Sequence, residues 1–127
     1  NDKSVNLSNY GNNKRDFTYI DDVINAIWQV FNNEGKNKFS VYNIGAEKPI
    51  SIKNLIDVIE KILNKKLKIK HTRRFTEDAQ NTKSNSRLIK SDYNISFKTN
   101  ISIGIKNFIK WYRKYKIEYD KFCTNTN

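Results

Sequence analysis

Residues 14–22 read KRDFTYIDD and join an arginine to a short aromatic segment and then to two aspartates. The alternation over residues 17–20 predicts a short extended piece. Asp21 or Asp22 is the predicted N-cap of a helix, because an aspartate side chain accepts hydrogen bonds from the free amides at a helix start. The helix is predicted to stop near Gly35. Its apolar stripe comprises Val23, Ile24, Ile27, Val30 and Phe31.

Outward from this stretch, short strand patterns alternate with helical patterns, and this alternation predicts an α/β fold. Strands are predicted at residues 5–7, 40–45 and 67–71. A second helix is predicted after Ser51, its N-cap, and the residues from 72 to 85 have no period and are predicted to be a loop. The apolar face of this second helix comprises Ile52, Leu55, Ile56, Ile59, Ile62 and Leu63.

Two more helices are predicted towards the end of the sequence, over residues 86–92 and 102–120. The longer one is amphipathic, so its apolar side chains are predicted to be buried and its basic side chains to face solvent. The side chains predicted to be buried are Ile105, Phe108, Ile109, Tyr112 and Tyr115, and the basic set comprises Lys106, Lys110, Arg113 and Lys114.

Composition limits the size of the core and raises a question about partners. The 127 residues suffice for one domain, and 37% hydrophobic residues leave its core thin. A formal charge of +11 suits nucleic acid, anionic membranes or phosphate-bearing ligands. The same bias also arises from an AT-rich coding sequence, because lysine and asparagine are abundant throughout the chain.

The few reactive side chains exclude several kinds of site. Cys123 is the only cysteine, so neither an internal disulfide nor a cysteine zinc set is expected. His71 is the only histidine and has no Ser, Cys or carboxylate at a helpful spacing, which favours a structural or surface role over that of a base. No apolar run has the length of a membrane helix or of a signal peptide core. A reducing, cytoplasmic location is therefore expected.

The glycines argue against a nucleotide-cofactor loop within this chain. Such a loop places several closely spaced glycines between a strand and a helix, where the backbone approaches a pyrophosphate. The four glycines here are Gly11, Gly35, Gly45 and Gly104, which are far apart.

Four motifs, taken in order, carry a resemblance to a known family. They are RDFTYIDDVINAI, then YNIG before the serine-capped helix, then EDAQNTKSN, and finally FKTNISIGIKNFIKWYRKY. From residue 5 to residue 115 the chain resembles the C-terminal part of extended short-chain dehydrogenases/reductases. Among these it is most similar to nucleotide-sugar epimerases, above all the UDP-glucuronate 4-epimerases. The resemblance implies the C-terminal portion of a Rossmann-type enzyme without a complete dinucleotide-binding domain, with residues 1–127 as a single partial domain.

The resemblance also implies what this chain lacks. Family members bind NAD through an N-terminal Rossmann domain and move a proton with a Tyr-x-x-x-Lys pair. Tyr10 and Lys14 have that spacing but lie in a turn pattern, and Tyr112 and Lys116 lie in a helix that the family uses for packing. We therefore expect no catalytic residue, no metal site and no NAD binding by this chain alone. The expected partners are a UDP-sugar and a missing N-terminal half, and family members are often homodimers; the absence of an initiating methionine agrees with a fragment.

Three residues before the 72–85 loop are candidate substrate contacts by resemblance. Arg15 occupies the position whose arginine reaches the diphosphate, and a planar guanidinium matches phosphate oxygens. The alternative for Arg15 is an ion pair with Asp16 or a solvated turn. Asn43 matches a strand-end contact to the nucleotide sugar, the alternative being a buried turn amide. Leu7 matches the segment that lies beside the base.

The loop around Arg74 and Asp78 departs from the family pattern. Relatives read Arg-x-Gly-Asp, in which the arginine binds phosphate and the acid accepts a ribose hydroxyl. Here Glu77 replaces the glycine, Asp78 aligns, and Arg74 lies one residue too early unless the loop bulges. A later Ala-Asp of the family is replaced by Ser84-Asn85, and these changes suit a divergent copy.

Two classes of function follow from these observations. The first is the C-terminal part of an NAD-dependent sugar-nucleotide epimerase that serves the synthesis of cell-surface polysaccharide precursors. The second is a small basic nucleic-acid-binding module, in which the basic residues of the last helix and nearby aromatic residues such as Trp111 contact the nucleic acid. A Gly-rich βαβ unit encoded upstream would favour the first class.

Overall fold

The computed structural model describes residues 4–34, 39–73 and 78–124. Helices and short strands alternate along the chain, so the predicted α/β class is confirmed. A single 3-10 turn, Asn9–Gly11, follows the first strand. The elements are β1 (Val5–Ser8), β2 (Lys14–Arg15), α1 (Ile20–Asn32), β3 (Ile50–Ser51), α2 (Ile52–Leu63), β4 (Ile69–Thr72), α3 (Arg87–Tyr93) and α4 (Ile101–Thr124).

The strands form two separate pairs. β1 pairs with β4 in parallel, from Val5 opposite Ile69 to Ser8 opposite Thr72. β2 pairs with β3 in antiparallel fashion, with Arg15 opposite Ile50. Lys14 also bridges the chain near residue 81, where its amide donates to the Gln80 carbonyl at 2.8 Å. The strand predicted at residues 67–71 is thus confirmed, shifted by about two residues.

Two predicted extended segments differ from the structure. Residues 16–19 are irregular, and Ile20 already belongs to α1, so the extended pairing lies earlier, at β2. Residues 40–45 form no ladder in the part of the chain that the structure describes. Their alternation instead places Tyr42 and Ile44 against the core cluster.

The start of α1 differs from the prediction as well. Its N-cap is Tyr19, which makes no side-chain cap hydrogen bond, and Asp21 and Asp22 lie in the first helical turn. Asp22 serves a tertiary contact, because its carboxylate accepts hydrogen bonds from the Thr99 amide at 3.0 Å and the Thr99 hydroxyl at 2.9 Å. This carboxylate therefore ties α1 to the segment that leads into α4.

The second helix follows its prediction closely. Ser51 caps α2 by accepting a hydrogen bond from the Asn54 amide at 3.1 Å. All six side chains of the predicted apolar face are buried or half-buried. α2 ends at Leu63 and is capped by Asn64, whose φ of 49° is left-handed, a conformation that asparagine tolerates. Near this end, Glu60 accepts hydrogen bonds from Lys66 at 2.6 Å and from the Leu67 amide at 2.8 Å.

The core forms where α1, α3 and the segment before α4 meet. Its buried members are Ala26, Ile89, Ile95 and Phe97. The Tyr42 hydroxyl donates to the Asp92 carboxylate at 3.0 Å at the edge of this cluster. The core is small, as the composition predicts.

Large apolar surfaces remain outside that core on α1 and α4. The apolar face of α1 comprises Ile20, Ile24, Ile27, Trp28 and Phe31, all of which are exposed. The aromatic stripe of α4 comprises Phe108, Trp111, Tyr112, Tyr115 and Tyr119. The predicted burial of Phe108, Tyr112 and Tyr115 is therefore wrong, whereas Ile105 and Ile109 are half-buried.

A cavity of about 660 Å³ lies between the starts of α1 and α4, with Tyr19, Ile24 and Phe108 in its wall. None of the helices that the structure describes has the length and apolar character needed to cross a membrane.

Candidate functional site

Arg15 and Asp78 form a pair at the end of β2. One terminal nitrogen of Arg15 donates to the carbonyls of Lys14 at 2.9 Å and Ala79 at 2.8 Å, and the other contacts the Asp78 carboxylate. The side chains are 27% and 33% exposed, so the pair is anchored in the protein and still reachable from solvent. Asp78, and not Asp16, is thus the carboxylate that the structure shows beside Arg15.

Asn13 binds the other oxygen of the same carboxylate. Its Nδ2 donates to Asp78 Oδ2, and its Oδ1 accepts from Asn9 Nδ2 at 2.6 Å. The residue is only 4% exposed, and its carbonyl accepts the Ile52 amide at 3.0 Å. Both ends of the buried amide are therefore used.

Asp16, the next residue after Arg15, holds two distant loops together in what we call the Asp16 cluster. Its carboxylate accepts hydrogen bonds from the amides of Glu47 and Lys48, each at 3.1 Å, and of Ser84 at 2.9 Å. The Ser84 hydroxyl adds a fourth at 2.7 Å. Burial alone would raise the pKa of Asp16, but the hydrogen bonds from the Ser84 side chain and the three amides outweigh it and hold that pKa below its ordinary value.

A second set of contacts closes the same loops beside the Asp16 cluster. Ser86 is fully buried, and its amide donates to Glu47 at 2.6 Å while its hydroxyl donates to the Gly45 carbonyl at 3.0 Å. Lys90 forms an ion pair with the other Glu47 oxygen. The hydrogen bond from Lys90, followed by that from the Ser86 amide, holds the pKa of Glu47 below its usual value.

Gly45 leaves room for this arrangement. A Cβ at this position would lie 2.1 Å from Ser84 Oγ and 2.6 Å from Ser84 Cβ. Because real Cβ atoms do not approach so closely, Ser84 can reach Asp16 only if residue 45 is glycine.

The remaining predicted contacts are placed differently. The Leu7 side chain is 5% exposed and packs beside Gly11, so it lies inside the fold. Asn43 is exposed, two residues before Gly45, and is not the buried turn amide of the alternative. Arg74 lies outside the described residues. The structure therefore brings together Arg15 and Asp78 from the predicted set.

Sequence reasoning missed Asn13, Ser84 and Ser86. Their partners lie far away in the chain, 65 residues for Asn13 to Asp78 and 68 for Ser84 to Asp16. Asparagine and serine in such segments also suit turns, so residue type alone carried no signal for burial.

The described residues do not fit an NAD cradle. Gly11 has a φ of +78° and packs against Leu7 and Lys53, and Gly104 faces the ring of Tyr19 within α4. These glycines therefore serve turns and close packing within the fold, and no Gly-rich strand-to-helix turn occurs in the described ranges. No group of three or more metal-binding side chains occurs there either.

Only the first of the two Tyr-x-x-x-Lys strings departs from the helical spacing of a proton-transfer pair. Tyr10 lies in the 3-10 turn and stacks on His71 at a ring distance of 5.4 Å, whereas Lys14 lies in β2. Tyr112 and Lys116 share α4.

Comparisons with known proteins find similarity to epimerases. A model of the NAD dependent epimerase/dehydratase family matches residues 1–45, which contain Arg15 and Asp16. An uncharacterized protein of Methanocaldococcus jannaschii is 34% identical over 116 residues, which cover 90% of this chain and 34% of that protein. UDP-glucuronate 4-epimerase 1 of Arabidopsis thaliana is 28% identical over 117 residues, covering 80% of this chain and 26% of that protein.

A solved structure extends the likeness to three dimensions. The UDP-glucuronic acid 4-epimerase of Bacillus cereus, in complex with UDP-glucuronic acid and NAD, is 26% identical with a TM-score of 0.76, over 87% of this chain and 36% of that one. The chain thus spans between a quarter and about a third of the length of these relatives. None of the three supports the nucleic-acid-binding alternative. Motif order, fold and relatives together show that the chain is similar to part of the NAD-dependent nucleotide-sugar epimerases.

Proposed function

We propose that this chain forms the nucleotide-sugar side of an NAD-dependent UDP-sugar epimerase of the UDP-glucuronate 4-epimerase kind. The observation that carries the proposal is the Arg15–Asp78 pair, which joins the RDF motif to a loop 63 residues later. The likeness to the UDP-glucuronic acid complex of the Bacillus cereus enzyme supports the choice of ligand. We also propose that residues 1–127 act as one partial domain in the cytoplasm.

Within this proposal the two members of the pair have different roles. Arg15 binds the diphosphate, since its planar fork of donors matches phosphate oxygens and two carbonyls already fix its direction. Asp78 accepts a ribose hydroxyl, because each carboxylate oxygen can accept more than one hydrogen bond. Arg74 adds a second phosphate contact, Asn43 pairs with a sugar or phosphate oxygen, and the backbone around Leu7 lies beside the base.

The cofactor belongs to another part of the protein. NAD supplies hydride acceptance and return in such an enzyme, and the described residues contain no cradle for it. This chain binds and orients the nucleotide sugar, and an N-terminal half with a Rossmann fold supplies the cofactor loop and the proton-transfer pair.

The apolar face of α1 and the aromatic stripe of α4 are the surfaces on which that half packs. Burying one such side chain contributes about 1.5–3 kcal/mol, so several together equal the net stability of a whole domain. A homodimer is then built from complete subunits, as is common in the family.

Binding of UDP tests the assignment of Arg15. Replacing Arg15 with alanine removes a charge-assisted contact worth about 1.5–3 kcal/mol and should weaken UDP binding about ten- to a hundredfold. Lys110→Ala, on the basic side of α4, is the matched control and should leave the affinity unchanged. Isothermal titration calorimetry of the 127-residue chain measures both, and equal losses would indicate a diffuse basic surface instead.

Turnover tests the division of labour. The chain alone should not epimerise UDP-glucuronate when NAD is present, because no described residue carries the cofactor or the proton. Joined to the N-terminal part of the Bacillus cereus enzyme, it should support turnover that Arg15→Ala lowers. Chromatography of the UDP-sugars measures turnover. Detectable turnover by the chain alone would contradict the proposal.

A further inference from the structure

Asn13 differs from the neighbouring Asn12 of its turn in being buried with both ends of its side-chain amide hydrogen-bonded. Its side chain is 4% exposed, its Oδ1 accepts from Asn9, and its Nδ2 donates to Asp78. The neighbouring Asn12 is exposed and caps the turn through its backbone amide. Burying an amide is costly unless both of its ends are hydrogen-bonded, so this placement has a cost that its partners offset.

The contact with Asp78 concerns the ligand-facing pair directly. One oxygen of the Asp78 carboxylate contacts Arg15, and the other receives the Asn13 amide. Asp78 lies in a loop rather than in a helix or strand, so side-chain contacts contribute to the direction of its carboxylate. Asn13, in contrast, is fixed by the fold itself, because its carbonyl accepts the first amide of α2.

We propose that Asn13 is a positioning residue that holds the Asp78 carboxylate, and through it the Arg15 guanidinium, in the orientation that receives the nucleotide diphosphate. This inference rests on the proposed function and adds to it a residue that does not touch the ligand. An asparagine suits the role because it accepts from Asn9 and donates to Asp78 at the same time, which a carboxylate cannot do.

The test replaces Asn13 with aspartate, which keeps its size and its acceptor but removes the donor. Asn12→Asp adds the same charge one residue away and is the matched control. Calorimetry of UDP binding to the 127-residue chain should show about tenfold weaker affinity for Asn13→Asp, the loss expected when a hydrogen bond to a charged group is removed, and little change for Asn12→Asp.

A double-variant cycle separates positioning from general stability. If Asn13 acts through Asp78, adding Asn13→Asp to an Asp78→Ala chain should change the affinity for UDP less than twofold. A full tenfold loss in that background would overturn the inference. Circular dichroism follows the fold, and if Asn13→Asp unfolds the chain, the uncharged Asn13→Ser, whose hydroxyl is too short to reach Asp78, takes its place in the same cycle.

The outcomes also separate this inference from the proposed function. If Arg15→Ala weakens UDP binding while Asn13→Asp and Asn13→Ser do not, the inference fails and the proposed function stands. If the parent chain binds no UDP at all, both fail.

Discussion

The Asp16 cluster and the apolar face of α1 lie close together in the sequence and depend on very different partners. The carboxylate of Asp16 finds four hydrogen bonds within the chain, to residues 47, 48 and 84. Phe31, fifteen residues later, is 79% exposed. Polar contacts therefore complete the loops around the candidate site, whereas the helices present surfaces that their own chain does not cover.

Hydrogen bonds and apolar contacts thus have different roles: the first fix the loops of the candidate site, and the second are available for packing on another part of the protein. Directional hydrogen bonds fix loops at particular distances, so the Arg15–Asp78 pair can be held in place by a small core. Apolar burial is not directional and scales with area, which makes it suited to joining two preformed parts. The predictions below act on one side of the contrast at a time.

The largest effect is expected from Gly45→Ala. The added methyl group would overlap Ser84 and push it away from Asp16, and such overpacking costs about 3 kcal/mol of unfolding free energy. Urea denaturation at low protein concentration, followed by circular dichroism, measures the loss. In a Ser84→Gly background the nearest remaining neighbour of the methyl group is an Asp16 carboxylate oxygen at 3.1 Å, so the cost should fall to about 1 kcal/mol; equal costs in both backgrounds would show that Ser84 is not the source of the crowding.

Asp16→Asn should lower the free energy of unfolding by about 2 kcal/mol at neutral pH, because an amide nitrogen would face backbone donors in place of a charged oxygen. The folded pKa of Asp16 lies below its unfolded value of about 3.9, so the unfolded state binds more protons in the window between the two. The stability from Asp16 is therefore fully present above that window and lost as the pH falls through the folded pKa. The free energy of unfolding should be measured from about pH 2.5 to about pH 7, a range that includes the unfolded pKa. Below that pKa it should fall less in Asp16→Asn than in the parent chain, and parallel curves for the two proteins would contradict the assignment.

Asp22→Ala should lower the free energy of unfolding by about 1–2 kcal/mol, since it removes both hydrogen bonds from Thr99. Asp21→Ala removes an exposed carboxylate of the same helical turn, whose interaction with the helix dipole is worth about 0.3–1 kcal/mol. Thermal melting of the two variants compares a tertiary contact with a local one. A larger loss for Asp21→Ala would mean that helix-end electrostatics dominates.

The smallest effect on stability is expected from Phe31→Lys. The ring is exposed, so unfolding free energy should change by less than about 0.5 kcal/mol, while self-association of the chain should fall because an apolar patch is lost. Size-exclusion chromatography measures the association. Ala26→Lys, on the buried face of the same helix, is the contrasting control and should prevent folding.

Local signals in the sequence were sufficient for α2 and insufficient for α1. Ser51 caps α2 by accepting a hydrogen bond from the Asn54 amide, only three residues later, so the residue type and its spacing in the sequence predict the contact. Ile24, Ile27 and Phe31 carry the same kind of period, yet they are exposed. Periodicity identifies an apolar face but does not show which part of the protein packs against it. The burial predicted for the aromatic stripe of α4 was wrong for the same reason.

The candidate site was predicted only in part. The resemblance pointed to Arg15 and Asp78, and the structure shows them in contact; whether they bind a ligand stays a prediction. Asn13 and the Asp16 cluster depend on pairings across more than half of the chain, which no local window contains. Residues 40–45 were predicted to be a strand because their side chains alternate. Alternation gives the direction of side chains but not a hydrogen-bonding neighbour, so it could not show that these residues lack a ladder in the described part of the chain.

The parallel pairing of β1 with β4 sets the order in which the chain can fold during synthesis. Among the described residues, β1 is synthesised before its partner β4, which ends at Thr72, and Asp16 is synthesised before Ser84. Doubling a loop adds only about 0.6 kcal/mol to its closure, so the delay affects rate more than final stability. Until β4 is synthesised, the amides and carbonyls on that side of β1 lack this partner and can pair with neighbouring chains. A nascent chain halted before residue 84 can therefore pair β1 with β4 but lacks the two Ser84 hydrogen bonds that complete the Asp16 cluster.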